Sequence, residues 1–173
     1  MIYIVRHGQT NYNLEKRITG RIDISLNSQG IKDALKAKEE LKDISFDYVF
    51  VSPLKRTIET AKIITNNNLI IDERLIERSN GELEGKKKDE IPQNVDFNLL
   101  YESNYGLEPV IEVRKRVNSF LNDIKEKYPK KNILIVTHGG VIINIRYYFE
   151  GEPNDGNYDN YISKNGYILK YNN

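Results

Sequence analysis

Short apolar runs alternate along the chain with longer segments in which apolar residues recur at helical spacing. Residues 2–5 and 132–136 form runs typical of strands that are covered on both faces. Residues 47–51 and 69–71 predict two further strands, and residues 166–171 predict a last one. Parallel strands joined by crossover helices produce this alternation. The pattern therefore predicts an α/β three-layer sandwich, in which a mostly parallel central sheet carries helices on both faces and an edge strand at the C-terminus.

Four stretches show the apolar repeat of an amphipathic helix. One begins at Ser28, and a second is expected to open at Pro53, because proline suits the first turn of a helix. The third and clearest covers residues 110–128, and the fourth covers residues 141–149. Residues 86–106 lack a sustained period and begin with three lysines. We interpret this segment as a flap or short helix over the sheet edge.

Length and composition narrow the possible functions. With 173 residues the chain is expected to form one domain over residues 1–173. Its 26 basic and 25 acidic residues give a net charge of +1, which argues against nucleic acid or a membrane as the main partner. The absence of cysteine excludes disulfides, thiolate metal sites and a cysteine nucleophile, and it fits a reducing compartment, so we expect a cytoplasmic protein. The first apolar run reaches Arg6 too soon for a signal peptide.

The chain contains only two histidines, and each follows a predicted strand and precedes a glycine. His7 stands beside Arg6, and His138 opens a strand-to-helix turn, where free amides favour an anion. Ligands of open parallel sheets gather at the carboxyl ends of the strands, so both histidines are expected to meet at one crevice. A guanidinium matches phosphate oxygens in pairs, and a neutral imidazole can attack phosphorus. Either cluster alone is more simply explained as a loop histidine with satisfied hydrogen bonds.

Two further residues suit phosphoryl chemistry. Arg56 lies near a predicted helix start after a strand, and Glu77 lies in a polar loop. A carboxylic acid can protonate an ester oxygen that leaves as an alcohol, and the carboxylate can then activate water. Taken singly, Arg56 is more simply a solvated arginine, and Glu77 is more simply a solvated acid.

Together these clusters resemble the histidine phosphatase superfamily, the phosphoglycerate-mutase-like group. The resemblance spans nearly the whole chain, and its elements come in the order of that family. The matching residues are Arg6, His7, Gly8, Thr10, Asn13, Gly20, Asp23, Leu26, Gly30, Ser52, Arg56, Thr60, Ala61, Leu75, Glu77, Gly81, Glu84, Gly85, His138 and Gly139. Thr57 and Glu59 depart from the commoner alanine and glutamine, and Pro109 replaces the serine of a Gly-x-Glu-Ser element.

The resemblance implies a phosphate pocket and a set of roles. The implied pocket consists of Arg6, His7, Arg56 and His138. His7 would be the nucleophile, and Glu77 would be the acid and later the base. The residues implied to border the substrate are Asn13, Thr19, Gly20 and Gly139. Since fixed arginines and His138 would stabilise the transferring oxygens, neither a metal ion nor a cofactor is expected.

Three functions fit these residues. The first is a metal-independent phosphomonoester hydrolase that acts on a small phosphorylated metabolite through a phosphohistidine. The second is a 2,3-bisphosphoglycerate-dependent phosphoglycerate mutase, which is disfavoured because mutases resembling this family carry a larger insertion than the short span between Gly85 and Val113. The third is a phosphate-binding module without turnover, against which the presence of both His7 and Glu77 argues. Neither the organic part of the substrate nor the oligomeric state follows from the sequence.

Overall fold

The computed structural model describes residues 1–98, 100–101, 104–153, 161 and 163–173. Its strands are β1 Ile2–Arg6, β2 Tyr48–Val51, β3 Leu69–Ile71, β4 Ile133–Thr137 and β5 Ile168–Tyr171. Its α-helices are α1 Asn11–Leu14, α2 Ser28–Glu40, α3 Lys55–Ile64, α4 Val110–Lys127 and α5 Gly139–Glu150. Short 3₁₀ helices cover Glu73–Leu75, Gly81–Leu83 and Lys88–Glu90. Among the described residues, no helix is long and apolar enough to cross a membrane.

The five strands form one sheet in the order β3-β2-β4-β1-β5. The pairs β3-β2, β2-β4 and β4-β1 are parallel, and β5 runs antiparallel to β1 at the edge. The predicted mostly parallel sheet with a C-terminal edge strand is therefore confirmed. This order places β1 and β4 side by side, although about 130 residues of chain separate them.

Alternation along the strands explains the layers, because successive side chains point to opposite faces. Ile2 and Ile4 pack with α4 and α5 on one face, where Phe50 meets Phe120 edge to face with ring centroids 5.4 Å apart. Tyr3 packs on the opposite face among residues of α2 and α3. The helices thus cover both faces of the sheet, as the apolar patterns predict.

The starts of two helices differ from the sequence-based prediction. Pro53 lies outside α3, because Leu54 stays extended and the helix begins at Lys55. The Lys55 amide donates to the Asp23 carboxylate at 2.7 Å, a contact from a distant segment that satisfies a free amide of the first turn. Helix α5 begins at Gly139, two residues earlier than predicted, since the two glycines adopt helical geometry directly after the strand.

The predicted flap, residues 86–106, holds one 3₁₀ turn over Lys88–Glu90 and is otherwise made of turns and bends where it is described. Residues 99, 102 and 103 of this stretch lie outside the described residues. The Phe97 carbonyl accepts a hydrogen bond of 2.5 Å from Arg78 Nη1. The segment is therefore tied to the loop that follows Glu77.

Candidate active site

The parallel pairing of β1 and β4 brings the two histidines together. Arg6 lies opposite Thr137 in the register, and the His7 amide donates to the Thr137 carbonyl at 3.0 Å. The His7 and His138 rings follow these strand ends and have centroids 5.2 Å apart, with an interplanar angle of 61°. The structure thus places both rings in one crevice at the carboxyl edge of the sheet.

Hydrogen bonding determines which nitrogen of His7 is free. The side chain is only 3% exposed, and its Nδ1 lies 2.7 Å from the Gly8 carbonyl oxygen. Because a carbonyl only accepts, this contact requires the proton on Nδ1 and leaves the lone pair on Nε2. A side chain at position 8 would place Cβ 2.2 Å from the Gly30 carbonyl oxygen, so glycine is required there.

Burial and charge keep the His7 imidazole neutral. Desolvation lowers the pKa of His7 well below its ordinary value of 6.5, and the nearby cations of Arg56 and Arg6 lower it further. The hydrogen bond to the Gly8 carbonyl raises the pKa, but by less than burial and the two cations lower it. The result is an imidazole with an available lone pair at neutral pH, as a nucleophile requires.

Two guanidiniums, that of the buried Arg56 and that of the partly buried Arg6, lie beside this imidazole. Arg56, only 1% exposed, donates from Nη2 to the Gly20 carbonyl at 2.7 Å and from Nη1 to the Ile22 carbonyl at 2.9 Å. Arg6 donates from Nη1 to the Ser163 carbonyl. Both are held by neutral carbonyls and form no ion pair with a described residue. Desolvation lowers the pKa of each guanidinium from its ordinary value, yet arginine stays charged at any physiological pH.

His138 occupies the N-cap of α5 and approaches the other side of the crevice. Its Nε2 lies 2.7 Å from Ser52 Oγ, and its buried Nδ1 has no hydrogen-bond partner among the residues that the structure describes. Burial lowers the pKa of His138 well below its ordinary value, and Arg56 lowers it further. The Ser52 hydroxyl can donate to Nε2 or accept from it; in the tautomer in which it donates, the proton of His138 stands on Nδ1, where it can serve a ligand.

Several buried polar atoms of the crevice lack partners in the described part of the chain. They are Arg6 Nε, Arg56 Nε, Thr19 Oγ1 and His138 Nδ1. Leaving a buried donor unpaired costs about 1–3 kcal/mol, so folded proteins rarely do so without a ligand. These donors and the two guanidiniums suit an anion with several acceptor oxygens, and a phosphoryl group is such an anion.

Glu77 lies next to this donor set. Its Oε1 accepts from the Arg78 amide at 2.9 Å, and its Oε2 lies 3.3 Å from the Gly140 amide nitrogen. A Cβ at position 139 would lie 3.3 Å from Arg6 Cζ, and one at position 140 would lie 2.6 Å from Glu77 Oε1. The two glycines at the start of α5 thus leave room for the arginine and the carboxylate side by side.

The four residues that the resemblance places around the substrate differ in the hydrogen bonds that they make and in the space that they leave. Asn13 uses its side-chain oxygen to accept from the Thr10 amide at 3.0 Å, which caps α1 and leaves its amino group free to donate. Gly20 has a left-handed backbone with φ of 50° and holds Arg56 through its carbonyl. Thr19 presents its unpaired hydroxyl, and Gly139 makes space for Arg6.

Sequence reasoning missed several residues that hold the site together. Asn165 donates from Nδ2 to the His7 carbonyl at 2.9 Å, and the Ser163 carbonyl binds Arg6. Thr60, which the resemblance includes without assigning it a role, accepts from the Gly8 amide at 3.1 Å through its hydroxyl. Asn165 and Ser163 precede β5 and carry no local pattern that reveals these contacts, since only the antiparallel pairing with β1 brings them to the site.

Within the described ranges, no group of three or more histidine, cysteine, aspartate or glutamate side chains lies in a position to hold a metal ion. The positive charge of this crevice comes from Arg6 and Arg56.

Comparison with known proteins gives consistent matches. The family model described as histidine phosphatase superfamily (branch 1) matches residues 2–170. A putative phosphoserine phosphatase 2 of Hydrogenobacter thermophilus is 38% identical over 152 residues, which is 82% of this chain and 74% of that protein. The phosphoglycerate mutase-like protein 4 of Arabidopsis thaliana is 33% identical over 154 residues, 82% of this chain and 67% of that protein. The structure of YhfR from Bacillus stearothermophilus superposes with a TM-score of 0.80 at 30% identity, covering 88% of this chain and 80% of that one.

Proposed function

The chain belongs to the histidine phosphatase superfamily, and on this premise we propose that it hydrolyses small phosphomonoesters through a phosphohistidine formed on His7. The superfamily match makes it an enzyme, either a phosphatase or a mutase. The choice of residues rests on one observation. The buried, neutral His7 has its lone pair on Nε2, and the nearby Arg6, Arg56 and His138 have nitrogen atoms without partners among the described residues.

In the proposed first step, His7 Nε2 attacks phosphorus while the bond from phosphorus to the ester oxygen breaks. Glu77, protonated at this point, gives its proton to that oxygen, which leaves as an alcohol. The guanidiniums of Arg6 and Arg56 bind the transferring oxygens. Their charges are already present in the empty site, so stabilising the transition state requires little reorganisation.

In the second step, Glu77 as a carboxylate takes a proton from water, and the oxygen of that water attacks phosphorus. The bond between phosphorus and Nε2 breaks, inorganic phosphate leaves, and His7 returns to its neutral form. Glu77 is then protonated again and ready for the next ester. The cycle needs no metal ion in this proposal, because two fixed guanidiniums and the Nδ1 proton of His138 bind the phosphoryl oxygens.

Phosphate release from 4-nitrophenyl phosphate and from glycerol 3-phosphate, with a chelator present, tests the proposal. We expect turnover of both esters by the wild type and loss of at least a thousandfold in kcat for His7→Ala, with the variant still folded by circular dichroism. Acid-labile phosphate bound to the protein after rapid quenching would support the phosphohistidine. Activity retained in His7→Ala, or lost on chelation, would overturn the nucleophile or the metal independence, respectively.

A mutase is the second candidate, because one of the matched relatives is named phosphoglycerate mutase-like. The two reactions share the first step but differ in whether water or a second hydroxyl accepts the phosphoryl group. Incubation with 3-phosphoglycerate and a trace of 2,3-bisphosphoglycerate distinguishes them. Isomerisation faster than phosphate release would favour the mutase, and phosphate release without isomerisation would favour the hydrolase.

A further inference from the structure

The position of the Glu77 carboxyl group depends on the backbone of its own loop. Its Oε1 accepts from the Arg78 amide at 2.9 Å, and its Oε2 lies 3.3 Å from the Gly140 amide nitrogen. No side chain of the described residues forms a hydrogen bond with this carboxyl group. Residues 77–80 belong to no helix or strand, so groups outside this loop have to hold its backbone in place.

Glu108 is the shared acceptor for donors around this loop. Its Oε2 accepts from the Ser79 amide at 3.2 Å and from Arg21 Nη2 at 3.1 Å. Arg116 binds both oxygens, with Nε 3.0 Å from Oε1 and Nη2 3.1 Å from Oε2. The Glu108 amide also donates to the Ser79 carbonyl at 2.9 Å. The side chains of Glu108 and Arg116 are only 15% and 16% exposed, so this pair is largely shielded from water.

The two guanidiniums bound by this carboxylate also hold the backbone of the loop and of the turn before it. Arg21 donates from Nε to the Glu77 carbonyl at 3.0 Å. Arg116 donates from Nη1 to the Arg74 carbonyl at 2.7 Å. Because the donors of a guanidinium lie in one rigid plane, anchoring one edge on a carboxylate directs the other donors at these carbonyls. The Glu108 carboxylate thus fixes two side chains that bind the backbone at the acid and just before it.

Resting on the proposed function, we infer that Glu108 is a positioning residue for the acid Glu77. Its carboxylate anchors two guanidiniums and one amide, and these fix the backbone from which the acid projects toward the leaving oxygen. Glu108 is not among the residues proposed to bind the phosphoryl group, so it acts through Arg21, Arg116 and its own loop contacts. The inference gives a physical role to residues 106–108, the Gly-x-Glu part of the element in which proline replaces serine.

A matched pair of esters tests this inference. Phenyl phosphate and 4-nitrophenyl phosphate differ by one nitro group, but their leaving groups differ in how much they need a proton. Phenolate is about as basic as ionised tyrosine, whereas 4-nitrophenolate is a weaker base. The ratio of kcat/KM for the phenyl ester to kcat/KM for the nitrophenyl ester therefore reports on the acid. Both values are measured on one preparation, so the ratio is independent of the fraction of folded enzyme.

Glu108→Gln should lower this ratio about tenfold, because misplacing a reacting group by about 1 Å costs up to about 10²-fold in rate. Glutamine keeps the size of the side chain but turns one acceptor oxygen into a donor, which repels the arginine donors. The matched control is Glu112→Gln, since Glu112 pairs with Lys115 at 2.7 Å and its side chain is 51% exposed. The ratio of the control should equal that of the wild type.

Arg21→Lys is a second variant of the same contact network. The Arg21 side chain is 38% exposed, so the substitution is expected to be tolerated by the fold. Lysine keeps the charge but lacks the planar fork that joins Glu108 to the Glu77 carbonyl, so the ratio should fall at least about threefold. If Glu108→Gln does not fold, this variant decides, and a wild-type ratio in it would overturn the inference.

The outcomes separate this inference from the proposed function. Adding Glu108→Gln to Glu77→Gln should leave the ratio unchanged, because both substitutions affect one proton transfer. A wild-type ratio in Glu108→Gln, equal losses for the two esters, or a further fall of the ratio in the double variant would overturn the positioning role and leave the hydrolase intact. A wild-type ratio in Glu77→Gln would instead refute the proposed acid, and absence of phosphate release from both esters would refute the hydrolase; the inference fails with either.

Discussion

Replacing Gly140 by alanine is expected to lower the activity of this protein without lowering its stability. The added Cβ would lie 2.6 Å from Glu77 Oε1, so the carboxyl group has to move by roughly 0.8 Å to reach ordinary van der Waals contact. Gly140 lies in the first turn of α5, where alanine stabilises a helix by about 0.5–1 kcal/mol relative to glycine. We therefore expect an unchanged or higher Tm together with a displaced acid.

The loss should depend on the leaving group. A misplacement of about 1 Å in a reacting group costs up to about 10²-fold in rate, so kcat/KM for glycerol 3-phosphate should fall about 10- to 100-fold. The value for 4-nitrophenyl phosphate should change by less than about threefold, because 4-nitrophenolate is a weak base that leaves without full protonation. Since kcat/KM covers steps up to phosphoryl transfer, the later role of Glu77 as a base does not enter.

A double-mutant comparison identifies the cause of the effect. If Gly140→Ala acts through the acid, then adding it to Glu77→Gln should cause no further loss, because residues that share one interaction are not additive. Equal losses for the two esters, or full additivity with Glu77→Gln, would refute the reasoning. Wild-type activity of Gly140→Ala toward glycerol 3-phosphate would refute it as well.

Two further predictions concern the histidines. Ser52→Ala removes the 2.7 Å partner of His138 Nε2 and should lower kcat/KM about tenfold. The control is Ser119→Ala at an exposed position, which should leave kcat/KM unchanged. Equal activity of the two variants would contradict this role of Ser52. Because burial lowers the pKa of His7 and His138 in the folded protein, the unfolded chain binds more protons than the folded chain below pH 6.5. The free energy of unfolding should therefore fall between pH 6.5 and 5.5, by up to about 1.4 kcal/mol per histidine per pH unit. Urea unfolding at both pH values measures this, and a flat profile would contradict it.

The main secondary structure follows from the sequence because it depends on local periodicity. The apolar run at 69–71 and the repeat over 110–128 predict β3 and α4 almost to the residue. The sequence-based prediction fails where a contact with a distant residue determines where a helix begins. The start of α3 depends on the carboxylate of Asp23, and α1 is a four-residue helix held by the capping pair of Thr10 and Asn13. The short α1 has no apolar repeat that could reveal it.

The residues of the candidate site could also be proposed from the sequence. A histidine beside an arginine after one strand, and a second histidine after another, already suggest a shared anion site, and the ordered motifs indicate the family. The roles assigned to His7 and Glu77 remain predictions that the experiments above test. The fold brings the His7 and His138 rings together and places Glu77 beside Gly140, and it adds Asn165, which no motif contains.

Only the tertiary structure decides what these side chains can do. The free nitrogen of His7, the unpaired donors of the crevice and the support from Asn165 all depend on contacts between segments far apart in the chain. The same holds for a cavity lined by Arg78 and Arg114, since loop residues and the two helices α4 and α5 form it jointly. Sequence determines residue type and local periodicity. The burial of a side chain, the position of its proton and the pairing of its charge depend on the distant groups that pack around it. Strand order and helix packing determine which groups these are.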